Sequence, residues 1–186
     1  DDARLADADE AGVGFKHDIN EKLSFGIILD QPYDTDITYN GSPATTLLGG
    51  TMAQASSYGL TALARYKFND RISVYGGPRV VKADGQVTLS GLAFAAAGLN
   101  GYNVRLASDS GLGFVVGAAY EIPEIAFRTA LTYHSPIDLS FSTFETFPGA
   151  PGALATGKTP AEVPQSVSLD FQTGIAENTL LMGRIR

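Results

Sequence analysis

The sequence predicts an all-β fold: an antiparallel β-barrel that crosses a membrane with its strands. Three observations predict it. Residues 110–146 alternate in polarity with a period of two on both sides of one tight turn, and short turns recur along the chain at nearly constant spacing. No apolar run reaches the roughly 18 to 20 residues that a membrane helix needs. The longest, residues 91–99, falls far short, which excludes a helical membrane protein.

Residues 110–146 set the pattern for the rest. In the first strand Leu112, Phe114, Val116, Ala118 and Tyr120 share one parity, and Gly113, Val115, Gly117 and Ala119 share the other. In the second, Ile125, Phe127, Leu131 and Tyr133 take one face and Ala126, Arg128, Ala130, Thr132 and His134 the opposite one. Side chains alternate across a strand, so one face of this hairpin is greasy and the other small or polar. Tyr120 and Phe127 flank the turn Ile122-Pro123-Glu124, where a membrane barrel carries an interfacial aromatic girdle.

Similar turns lie at 19–22, 69–71, 123–124 and 176–178. The steps from Asn20 to Asn69, on to Pro123 and on to Glu177 are 49, 54 and 54 residues. Between them lie longer polar or Gly/Pro-rich connections at 40–50, 91–103 and 147–163. Strand pairs closed tightly at one end and loosely at the other are the hairpins of a transmembrane barrel. These boundaries predict eight strands, at 12–17, 23–39, 51–68, 72–90, 104–120, 125–146, 164–174 and 179–186. In the third, Tyr58, Leu60, Ala62, Ala64, Tyr66 and Phe68 face lipid, and Gly59, Thr61, Leu63, Arg65 and Lys67 face inward. Arg79, Arg128, His134, Asp170 and Gln172 join the polar interior.

Composition agrees. Charged residues make up 18% of the chain, against roughly 25% in ordinary soluble proteins. The net charge of −7 argues against nucleic acid as a partner. The 186 residues leave room for one domain, the barrel itself. Cysteine is absent, which is compatible with an oxidising compartment. The chain opens on the acidic stretch 1–10, with no charged-then-apolar leader, as a mature chain or an internal piece would.

The order of segments 19–39, 58–89, 111–141 and 159–175, with a P-x-x-x-S-x-x start at Pro164 and Ser168, resembles the middle of the FadL/TodX-type outer-membrane transporters of long-chain fatty acids and other hydrophobic compounds. The likeness spans nearly the whole chain. It implies a fourteen-stranded barrel with an N-terminal hatch, of which this chain would be an internal fragment, lacking the hatch and the C-terminal strands. It implies residence in a Gram-negative outer membrane, with lipid around the barrel and fatty acids or other hydrophobic small molecules as partners. It also implies passive uptake, with capture by external loops and lateral release through a strand kink. The alternative is a water-filled general porin or a structural barrel.

The resemblance places the kink at Gln31-Pro32-Tyr33-Asp34. Pro32 has no N–H to give a ladder, and Asp30, Asp34 and Asp36 are costly against lipid. An external strand end above the bilayer would read the same way. The implied capture groups are Leu92, Phe94, Ala95 and Leu99 on a short helix, with Phe144, Phe147 and Leu154 opposite, although a packed loop core would show the same residues. Some family members hold the carboxylate with an Arg late in the fourth strand. That place is near Leu89 here, which leaves the inward Arg79 and Arg128 as carboxylate partners or as plain lumen charges.

No enzyme is expected. His134 beside Ser135 resembles, distantly, the pair of outer-membrane phospholipases, but adjacent strand residues point to opposite faces. With His17 the only other histidine and no cysteine, no metal site or other cofactor is expected either. Asp7, Asp9 and Glu10 read as a solvated run rather than a calcium site. Opposed charges for a porin constriction are few.

Overall fold

The computed structural model describes residues 3–5, 11–149, 154–176 and 179–186. Within them the chain forms one antiparallel sheet of β1 (Ala3–Leu5), β2 (Gly12–Asp18), β3 (Leu23–Asp30), β4 (Thr35–Tyr39), β5 (Met52–Lys67), β6 (Ile72–Leu89), β7 (Tyr102–Ile122), β8 (Phe127–His134), β9 (Ile137–Thr146), β10 (Leu154–Val163), β11 (Ser166–Ala176) and β12 (Thr179–Ile185). A one-turn helix, α1 (Leu92–Ala95), sits in one long connection, and a 3₁₀ turn (Pro123–Ile125) joins β7 to β8.

Several segments are halves of longer strands. β3 and β4 both pair with β5, β8 and β9 both with β7, and β11 and β10 continue that arrangement against β8 and β9. The sheet is therefore half of a barrel wall, with the predicted strands interrupted at 31–34 and 135–136, and a further break at 164–165, where the seventh strand was expected to start. Two expectations need correction. A further short strand, β1, precedes the first predicted one. The seventh strand begins at Leu154 rather than 164, so the outer part of the expected 147–163 loop is wall. An unbroken register from Leu154↔Thr146 to Val163↔Ile137 holds it there. Pro160 is tolerated because β10 has only one neighbour among the described residues, and a strand edge is where a sheet accepts proline.

Tight turns share a device. The Asn20 side-chain Oδ1 accepts the N–H groups of Lys22 and Leu23, and Asn69 does the same for Arg71 and Ile72. An Asn side chain thereby substitutes for a backbone carbonyl and closes the hairpin. At the third turn, Ala126 takes a left-handed φ of 51°. The fourth predicted turn lies partly at 177–178, outside the described residues.

Register aligns the outward faces into rows. Leu29, Leu60, Val80 and Leu112 form one, and Leu23, Tyr66, Val74, Ala118, Leu131 and Leu169 another. On β6 the apolar band runs from 72 to 80 and on β7 from 112 to 120, nine residues each. A tilted strand needs about 9 to 11 residues to cross a bilayer. Immediately above the band the outward partners are Lys82 and Ser110.

At Ser135-Pro136 the pattern inverts. Below it, β8 turns Leu131 outward and Thr132 inward. Above it, Asp138, Ser140 and Ser142 are exposed while Ile137, Leu139 and Phe141 are 3%, 6% and 7% exposed. A wall that is greasy outside below a line and polar outside above it changes solvent at that line. This chain has no Trp, so a Trp introduced into it, in a protein otherwise freed of Trp, reports this directly. In vesicles of lipids brominated on the acyl chain, Leu112→Trp fluorescence will be quenched and Ser140→Trp will not. Equal quenching would refute the boundary.

Candidate functional site

The concave face of the sheet is a trough of about 1610 Å³, lined by Arg65, Arg79, Arg128, His134, Asp170 and Gln172 among others. Alternation turns these polar side chains inward because their neighbours in sequence form the lipid rows. They do not stand alone. Arg65 Nη2 donates to Glu121 Oε1 at 2.6 Å, and Arg128 Nε lies 3.2 Å from the same oxygen. Arg184 bonds Asp170, and Tyr75 Oη meets Thr132 Oγ1 at 2.5 Å. The expectation of few opposed charges therefore fails. Glu121 pairs in register with Arg128 across the 3₁₀ turn, and its odd parity with Val115 and Ala119 was the available signal.

The break at 31–34 opens onto this trough, with Gln31, Pro32 and Tyr33 in its lining. Asp30 pairs with Gly59 and Thr35 with Ala55, so four residues, 31–34, face three, 56–58. That extra residue is a bulge, and the ladder cannot close through it. Side chains close it instead. The Tyr33 N–H donates to Ser57 Oγ at 2.8 Å, and the Ser57 N–H donates to Asp34 Oδ1 at 2.7 Å. Ser57, 1% exposed, was not predicted: a serine in an alternating strand carries no mark of a distant break.

At the opposite end from the tight turns, the loop 40–51 is stitched to the α1 loop. The N–H groups of Leu92 and Ala93 donate to the carbonyls of Thr46 and Leu47, both at 3.0 Å. Asn100 Oδ1 accepts from Gly91 N–H and Ser90 Oγ. Gly91 takes φ 102°, and a Cβ there would overlap the Leu47 carbonyl, so glycine is required at this approach. Leu47 and Leu92 remain exposed side by side in the chain trace of these loops.

Sequence comparison decides what this architecture belongs to. Residues 10–177 match the model of the family described as Outer membrane protein transport protein (OMPP1/FadL/TodX). The chain belongs to that family. A search of curated proteins finds no match. Among solved structures, a Pseudomonas aeruginosa FadL homologue superposes with a TM-score of 0.66 at 19% identity, over 89% of this chain and 45% of that one. The Ralstonia pickettii toluene transporter TbuX gives 0.63 at 13%, over 89% and 51%. This chain thus spans about half the length of either, and the shared feature is the barrel fold.

Within this FadL/TodX-family wall, the predicted capture residues separate. Leu92, Phe94 and Ala95 lie on α1 and Leu99 follows it, its N–H donating to the Phe94 carbonyl. Phe147 is brought to the base of that loop, its ring centroid 5.1 Å from that of Tyr102. Phe144 is not: it is exposed on β9, on the face opposite Phe141 and Thr143, and pairs in register with Arg105. The Leu154 side chain lies outside the described residues, as do Asp7, Asp9 and Glu10. Arg79 and Arg128 both line the trough, each already paired with a carboxylate.

His134 and Ser135 both line the trough, contrary to the expectation of opposite faces, because β8 ends at His134 and Ser135 already belongs to the break. The Ser135 hydroxyl accepts from the Phe114 N–H at 2.9 Å and donates to the Pro136 carbonyl at 3.2 Å. It serves the break rather than His134.

Proposed function

We propose that this chain supplies half the wall of a Gram-negative outer-membrane conduit through which long-chain fatty acids or other hydrophobic compounds pass without an energy source. Cargo is held first among Leu47, Leu92, Phe94 and the loop residues near them, descends the trough, and leaves sideways at 31–34 into the membrane. Apolar contact contributes roughly 0.8 kcal/mol per buried CH₂, so a long acyl chain is retained without one strong polar contact. The observation that carries this reading is the four-against-three mismatch at 31–34, where the wall beside the trough is closed by side chains alone.

The test is uptake by vesicles containing the outer-membrane protein that carries this chain. A fluorescent long-chain fatty acid should enter faster than into protein-free vesicles, while sugars should not swell them. A second reading, a water-filled porin, draws support from the ion pairs of Glu121 and Asp170 along the trough. Swelling by sugars without faster fatty acid entry would establish that reading and overturn the first.

A further inference from the structure

A longer unpaired stretch lies on the other side of the trough, between β7 and β9. β7 pairs with β8 as far as Val115↔His134 and with β9 from Leu106↔Thr143, nine steps further along each strand, yet 107–114 and 135–142 form no ladder pairs. The cause is a mismatch of phase. β7 inverts its parity at a bulge, taking three steps from Leu106 to Asp109 where β6 takes two from Gly85 to Ala83. The facing chain inverts nearer the tight turns, at Ser135-Pro136. Between the two inversions the strands are out of step: Leu112 is 70% exposed, and Ile137, opposite it by count, is 3% exposed. Strands out of step cannot align their N–H and C=O groups, and Pro136 has no N–H to offer.

Side chains close this seam. At its lower end Ser135 holds Phe114, donating its N–H to the carbonyl at 3.0 Å and accepting the Phe114 N–H on its hydroxyl at 2.9 Å. At its upper end Asp109 Oδ2 accepts the Ser140 N–H at 2.6 Å. Between these fastenings lies Ile137. A Cβ on Gly111 would overlap Ile137 Cγ2, and one on Gly113 would stand 2.6 Å from Ile137 Cγ1, so the isoleucine lies against bare backbone. Ile137 also lines the trough, while Leu112 and Phe114 face out at the line where the outer surface turns from greasy to polar. Unladdered backbone is tolerated at that boundary, where water can reach it, and not within the acyl layer.

We propose that the β7–β9 seam is a second lateral port between the trough and the membrane, with Ile137 as its plug. This rests on the trough being the cargo route and adds a second way out of it. The port suits neutral chain-like molecules such as alkanes and their alcohols. Cargo there slides between Ile137 and Leu139 on one side and Leu112 and Phe114 on the other, and the Asp109 carboxylate at the upper end repels an anionic head group.

Passive movement runs both ways, so exchange from the bilayer into the trough reports the port. Ile28, which lines the trough, is replaced by Trp in the vesicle-embedded protein, otherwise freed of Trp, and 1-bromododecane dissolved in the bilayer quenches it on arrival. Ile137→Ala should raise the stopped-flow quenching rate about threefold or more, because the cavity it leaves is only partly refilled. Gly113→Cys with Ile137→Cys, in a protein otherwise freed of Cys, joins the two strands when oxidised, and the rate should then fall at least about threefold below that of the reduced form. Leu131→Ala, on the lipid face below the seam, should leave the rate unchanged. With 12-bromododecanoate the oxidised and reduced forms should differ less than with 1-bromododecane, and a larger difference would overturn the preference for neutral cargo. A rate indifferent to oxidation overturns the port, as does an unchanged rate in Ile137→Ala if the disulfide fails to form. Fatty acid uptake separates this from the conduit reading: oxidation-sensitive quenching without faster uptake would refute the conduit and leave the port standing, and faster uptake with indifferent quenching would do the reverse.

Discussion

Deleting Pro32 should close the wall and lower uptake of a hydrophobic probe at least about tenfold, while the barrel still assembles. The deletion leaves three residues, Gln31, Tyr33 and Asp34, against the three at 56–58, so the register of β3 against β5 continues into β4 without an offset. It also replaces a residue that lacks an N–H with chain that has one at every position. Ladder bonds then replace the side-chain bonds that Ser57 and Asp34 now provide, and lipid meets a continuous strand. Pro32→Ala is the informative companion. It restores the donor and keeps four against three, so the bulge survives and uptake should fall by less than about threefold. Uptake of a fluorescent fatty acid into vesicles reads both variants, and band shifting on heating reports that the barrel is folded. Unchanged uptake in the deletion would mean that cargo does not leave at this break.

The barrel wall was legible in the sequence because it is a periodic object. Alternation from 58 to 68 and from 112 to 120 names the lipid face residue by residue, and the turn spacing sets the strand count. The interruptions were partly legible. Pro32 marked its own break, since a missing N–H is a local property. The inversion at Ser135-Pro136 was readable in principle, because Ile137, Leu139 and Phe141 carry the opposite parity from Leu131 and Tyr133, but a single predicted strand over 125–146 averaged across it. The strand 154–163 was hidden by Pro160 and Gly157, residues that read as loop until the pairing with β9 is known. What could not be read is what depends on register between distant segments. Asp30 meets Arg79 over Gly59 only because β3, β5 and β6 lie in one particular alignment, and Leu47 reaches α1 only because two loops cross.

The same dependence on register gives the second large effect, at a glycine whose need for bare backbone no single strand reveals. Between Thr61↔Arg79 and Ala64↔Gly76 the β5–β6 ladder skips, so that Ala62 and Leu63 face Gly77 and Pro78 without pairing. A Cβ at Gly77 would overlap the Ala62 carbonyl oxygen and stand 3.0 Å from its carbon and 3.3 Å from the Leu63 Cα. All three atoms are backbone, fixed by the pairs on either side, and Pro78 stiffens the chain next to them. A rotamer change cannot relieve the contact, so the two strands would have to part within the lipid-facing band. Overpacking of this kind costs about 1–3 kcal/mol, and Gly77→Ala belongs at the top of that range. Gly14→Ala, where a methyl meets nothing within 4 Å, should change stability by less than about 0.5 kcal/mol. Urea unfolding in lipid vesicles compares the two. A Gly77→Ala midpoint indistinguishable from that of Gly14→Ala would mean that the strands are not held this close, and with it the alignment of β5 and β6 that carries the Asp30–Arg79 pair would fail.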